Sequence, residues 1–94
     1  MKSKVNECIE WLNKDSDSGK LDEYMFSLQE VQSYLCREVG GSSFKIFRKV
    51  CLGYLKEEYG VILSREEVKM LFSQLPDSFV SVGAYVLRKE RNNY

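Results

Sequence analysis

Val5, Cys8, Ile9 and Leu12 recur three and four residues apart, the spacing that gathers them on one side of an α-helix. That rhythm predicts a helix over about residues 3–13, with Trp11 well off the apolar stripe, at the edge of a core or against a partner. It then stops. "KDSDSGKLDE" is rich in turn formers and has no apolar period, so residues 14–26 are expected to form a surface loop. The rhythm resumes with Leu28, Val31, Leu35 and Val39. Ser27 and Glu30 stand at capping-box spacing ahead of them, and Gly40-Gly41 offer a terminator, which predicts a helix over 28–39. Ser42 or Ser43 can cap a third helix over 43–59, with a core face of Phe44, Phe47, Val50, Cys51, Tyr54 and Leu55 and with Gly60 at its end. "Val61-Ile62-Leu63" reads as an extended link or a brief strand. Ser64 and Glu67 form a second capping box ahead of a helix over 65–75, where Val68, Leu71, Phe72 and Leu75 make the buried stripe and Pro76 the stop.

The C-terminal stretch breaks the helical pattern. Wound as a helix, the apolar residues of "SFVSVGAYVLRKERNNY" scatter around the wheel. Extended, Val80, Val82, Ala84 and Val86 share a face, and Gly83-Ala84 suits a two-residue hairpin turn that wants glycine first. Residues 79–89 are therefore expected as a short β hairpin, or else as a fifth helix. The fold class is mainly α: a compact single domain of about four helices with that C-terminal element.

Ninety-four residues suffice for one modest core, and 44% apolar with 30% charged residues is an ordinary globular balance. Fourteen basic and fourteen acidic residues cancel, which excludes a binder held to nucleic acid by bulk charge alone. The halves differ. Residues 1–42 carry 5 basic and 8 acidic groups, net −3; residues 43–94 carry 9 and 6, net +3. No signal peptide or membrane-length apolar run is visible, so a cytoplasmic protein with reduced thiols is expected.

The sequence has no histidine, the commonest general base and metal ligand at neutral pH. Its three cysteines, Cys8, Cys36 and Cys51, lie 28 and 15 residues apart, a poor zinc set. Cys8 and Cys51 fall on apolar faces; Cys36 falls on a polar one beside Arg37. The carboxylate pairs Asp22-Glu23, Glu57-Glu58 and Glu66-Glu67 are adjacent, so on a helix they diverge by about 100° and do not converge on a substrate. Asp15, Asp17 and Asp22 lack the register of a calcium loop. No catalytic residue, cofactor or metal is assigned, and the chain is not expected to be an enzyme.

What remains is a basic flank. Lys45, Arg48, Lys49 and Lys56 run along one side of the third helix around Leu52, and none has an acid three or four residues away. Lys45 repels Arg48 and Lys49 at those spacings, so local helix energetics do not favour the arrangement. It is either a plain solvated surface or the counterpart of something acidic. That could be residues 15–23 of this chain or of a second copy in a homodimer, a foreign protein, or a phosphate backbone. With Trp11, these residues form the expected partner-binding set of a small regulatory or inhibitory protein, of the size and composition met in phages and mobile elements. The acidic surface of another protein is the expected partner.

The alternative is a DNA-binding helix-turn-helix or winged helix. Arg65 and Lys69 would then face the major groove from the fourth helix, and Arg88, Lys89 and Arg91 would meet phosphates from the wing. Glu66 and Glu67 stand where base contacts belong in that reading. In addition, "GVILSREEVKMLF" resembles the strand-into-helix segment of the transcriptional-coactivator family that binds single-stranded DNA. The likeness spans 13 of the 94 residues, without that family's preceding basic strands.

Overall fold

The computed structural model describes residues 3–92, without the side chains of residues 77, 78, 80 and 81. Its elements are α1 (Lys4–Asp17), α2 (Lys20–Ser27), α3 (Gln29–Leu35), α4 (Ser43–Tyr59), α5 (Arg65–Gln74) and α6 (Asp77–Asn92). Among the described residues there are six helices and no strand, and no helix is long and apolar enough to cross a membrane.

Helix α4 lies against α1, α2 and α6, with its most extensive packing along α6. Its buried residues come as neighbours every turn: Ile46 and Phe47, Val50 and Cys51, Tyr54 and Leu55. Extended one turn back, that series reaches Ser42 and Ser43. Ser43 is buried and Phe44 falls past the edge, 43% exposed, so Ile46 takes the core place expected of Phe44. Gly60 ends α4 in the left-handed conformation, φ 65°, and the Val61 amide donates back to the Leu55 carbonyl. Residues 61–63 are a link without strand pairing, with Ile62 70% exposed.

The second capping box forms in full. Ser64 Oγ accepts from the Glu67 amide, and Glu67 Oε1 accepts from the Ser64 amide at 2.9 Å. The bond from the Ser64 amide holds the Glu67 carboxyl below its ordinary range. Leu71 and Leu75 face the core, and α5 ends ahead of Pro76 as expected.

Three expectations are corrected, and a fourth is decided between its two alternatives. Residues 14–26 are no loop: α1 runs on to Asp17, Gly19 turns the chain at φ 82°, and α2 follows at once. At eight residues α2 is too short to hold by itself; burying Leu21 and Met25 holds it. The Ser27 capping box does not form. Ser27 is the last residue of α2, its hydroxyl donates to the Tyr24 carbonyl at 2.7 Å, and Leu28 starts α3 instead.

Helix α3 stops at Leu35, short of the glycines. Its end is a Schellman turn in which the Glu38 amide donates to the Ser33 carbonyl and the Arg37 amide to the Tyr34 carbonyl. Arg37 holds the left-handed position at φ 63°, where glycine would be relaxed. Finally, of the two forms expected for residues 79–89, a hairpin or a further helix, the helix is the one observed. Gly83-Ala84 is the crossing point with α4 and not a hairpin turn: a Cβ on Gly83 would stand 2.3 Å from the Phe47 ring. Ala84 and Leu87 are buried, while Val82 and Tyr85 are left outside, which accounts for the scattered wheel.

Gly83→Ala is expected to cost about 1–3 kcal/mol, the range for overpacking a core. In a Phe47→Ala background most of that penalty should vanish, because the ring that meets the new methyl is gone. Urea unfolding of the four-member cycle checks this, and additivity within about 0.5 kcal/mol would place the glycine away from the ring. Arg37→Gly should act in the opposite direction. Relief of about 1–2 kcal/mol of left-handed strain exceeds the roughly 0.5–1 kcal/mol of added chain entropy, so a modest rise in melting temperature is expected.

Candidate functional site

The basic flank of α4 becomes the wall of a groove. Lys45, Arg48, Lys49 and Leu52 on α4 face Val68, Lys69, Phe72 and Ser73 on α5 across an open space of about 480 Å³. Leu52, Val68 and Phe72, all half-buried, make an apolar floor. Four cations stand around it, and the lining contains no acid. Arg48 lies over the Phe72 ring, its guanidinium carbon 5.3 Å from the centroid, a cation–π contact that joins the two walls. A second groove of about 230 Å³ shares Leu52 and Val68 with the first and continues past Lys56 to Val61, Ile62 and Leu63. The two grooves, together the trough, adjoin at Leu52 and Val68, and between them they border α4 from Lys45 to Lys56.

Lys49 meets Glu30 of α3 at 3.3 Å, with both side chains more than half exposed. Such a pair contributes little and exchanges readily. Among the described residues neither Lys45 nor Lys56 is paired with an acid. Within the chain, among the described residues, the acids at 15–23 do not meet this flank. Asp15 turns inward, and the salt bridge joining that stretch to α4 runs from Lys20 to Glu58 at 3.1 Å, the reverse sense.

Asp15 is the unforeseen polar centre. It is buried, and Tyr54 Oη and Tyr59 Oη both donate to its Oδ2, at 2.7 and 2.6 Å. Burial disfavours the carboxylate, yet the two hydroxyl bonds and the charges of Lys20 and Lys14 outweigh it and hold the Asp15 carboxyl below its ordinary range. The same bond, with burial, pushes the Tyr59 phenol up to about 12; burial first, then Asp15, pushes the Tyr54 phenol up as well. Trp11 stacks on Tyr59 with ring centroids 4.2 Å apart and planes 3° apart, and Tyr24 meets Tyr54 edge-on. Trp11 is therefore half-buried in an aromatic cluster between α1 and α4 and lines neither part of the trough. The aspartate carries no apolar signal, so spacing alone places it in a loop; Tyr54 and Tyr59, five residues apart in the last turns of α4, are the available hint.

The residues singled out for DNA do not converge. Lys69 joins the α4 cations in the trough, while Arg65 lies outside it at the start of α5. Arg88 and Lys89 border a shallow cleft on α6 with Tyr85 and Asn92, and Arg91 lies over the Tyr34 ring at 4.4 Å. The segment expected as a wing is α6, so a winged helix lacks its wing. The strand of the single-stranded-DNA-binding likeness is likewise absent at 61–63. Cys8 and Cys51 are buried, which raises both thiols, Cys51 to about 12; Cys36 is exposed. Comparison with protein-family models, curated proteins and solved structures finds no match to this chain.

The Asp15 network predicts a stability profile with two shoulders. A depressed carboxyl stabilises the fold above its unfolded value, near 3.9, and that contribution is lost as pH falls through the lower folded value. The raised Tyr59 phenol stabilises below about 10 and loses its contribution as pH climbs toward about 12. Asp15→Ala should cost about 1–3 kcal/mol at neutral pH by leaving buried hydroxyls unpaired, and should flatten both shoulders. Urea midpoints from pH 2 to 11 measure this; an unchanged profile would mean the carboxylate is not bonded there.

Proposed function

We propose that this chain is a small non-enzymatic regulatory or inhibitory protein that acts by binding the acidic surface of another protein through the α4–α5 trough. The observation that carries the reading is the convergence of Lys45, Arg48, Lys49 and Lys69 on an apolar floor with no acid in the lining. A desolvated apolar centre within a charged rim is how protein interfaces are built: the floor supplies affinity, the rim orientation and encounter rate. The cations of a phosphate-binding surface have no need of the floor.

Reversing two wall charges, Arg48→Glu with Lys49→Glu, tests the reading. The fold should survive, since both side chains are exposed and the Lys49–Glu30 pair contributes under about 1 kcal/mol. Partner capture from the native host, nuclease-treated in parallel, should fall at least tenfold and depend moderately on salt. A steep loss with salt, with a log–log slope near −0.9 per neutralised phosphate, would assign the surface to duplex DNA instead. Undiminished capture of every partner would make the flank an ordinary solvated face.

A further inference from the structure

We infer that the occupant of the trough is an amphipathic acidic helix of about three turns, laid along α4; the inference rests on the acidic-partner reading above. The first support is spacing. Lys45, Lys49, Leu52 and Lys56 follow one another at four, three and four residues, the step of a helix–helix seam. On the other wall Val68 and Phe72 are four apart, again one helical turn.

The second support is shape. Between Lys45 and Lys56 the trough follows eleven residues of α4, roughly 16 Å at the helical rise, which a partner helix of equal length would fill. Helices α4 and α5 barely approach each other through their backbones and meet instead through side chains, Arg48 over Phe72 at one point. The groove between them is thus open, floored with apolar groups and flanked by two helical ridges, the setting in which a third helix packs.

The third support is charge. Apolar anchors at i, i+4 and i+7 of such a helix would fall over Phe72, over Leu52 with Val68, and over the 61–63 link. Carboxylates at the flanking positions would face Lys45, Lys49 and Lys69 on the rims and Lys56 at the far end. The pair Lys49–Glu30 shows that this rim already takes a carboxylate. Arg48 can turn from the Phe72 ring to a carboxylate by side-chain rotation and uncover the ring for an anchor.

A phage-displayed library of random 16-residue peptides, selected on the full chain, tests the inference. Lys45→Glu with Lys69→Glu serves as the counter-selection target; both positions are exposed, and its thermal melt is recorded as a folding control. The expected result is enrichment of acidic peptides with apolar residues three and four apart. They should be lost from the reversed variant, and proline at the centre of a selected peptide should weaken binding about 100-fold, the factor for breaking a helix interior. Acidic peptides that lack that spacing or tolerate the proline would overturn the helix while leaving the acidic partner in place. Peptides that are not acidic, or that bind the reversed variant equally, or no enrichment at all, would overturn both. Sedimentation velocity of the chain alone completes the test: a dimer abolished by the reversal would make a second copy the occupant and overturn the inference.

Discussion

A helix as apolar as α4 persists in water only if most of its circumference is covered, and the rest of the fold is the means of covering it. Helices of seven and eight residues, such as α3 and α2, are far below the length at which a helix holds by itself. They exist because Met25, Val31 and Leu35 share the core with Phe47, Val50 and Leu55. The longest contact, with α6, depends on one absent side chain: Gly83 lets the Phe47 ring sit where any Cβ would stand. Phe79 then meets the same ring at a tilt, 5.6 Å between centroids, so the α4–α6 crossing is defined at both ends of the ring.

At the opposite end of α4 the contact is polar. Tyr54 is wholly buried, and a buried hydroxyl without a partner would be costly. Asp15 supplies that partner and accepts from Tyr59 on the same oxygen, so α1 is tied to α4 by a carboxylate that needs no cation in contact. Hydrogen bonds to ionised groups are about twice as strong as neutral ones. Trp11 closes the arrangement by stacking on Tyr59. A tryptophan off the apolar stripe invites reading as a partner anchor, and here it stacks on a tyrosine that donates to the buried carboxylate.

Coverage of α4 stops at one flank. There the neighbour, α5, reaches it mainly through side chains, and the gap between them is the trough. Its cations are not balanced by the acids that follow them in the chain. Glu57 and Glu58 lie on another side of α4, and Glu67 is engaged at the cap of α5. The zero net charge of the molecule thus coexists with a local concentration of positive charge over an apolar floor, the combination on which the proposed partner recognition rests.

Much was legible in the residues alone. The extents of α4 and α5, the capping box at Ser64 and Glu67, the stops at Gly60 and Pro76, the buried Cys8 and Cys51, and the cationic flank all follow from spacing and from local backbone chemistry. These signals act within four or five residues, so the chain needs no partner to declare them. What tertiary structure decided lay where a local signal was weak or pointed elsewhere. Helix α2 looked like a loop because two buried side chains make too short a period. The glycine pair at 40–41 looked like a helix terminator, yet Arg37 took that position three residues earlier. Gly83 suited a turn as well as a close crossing, and only the Phe47 ring of another helix distinguishes the two. Lys69 could not be joined to Lys45 and Lys49, nor Asp15 to Tyr54 and Tyr59, from separations of 20 to 44 residues. Such pairings are set by how helices dock, which depends on the shape of the whole apolar surface and not on any stretch of it.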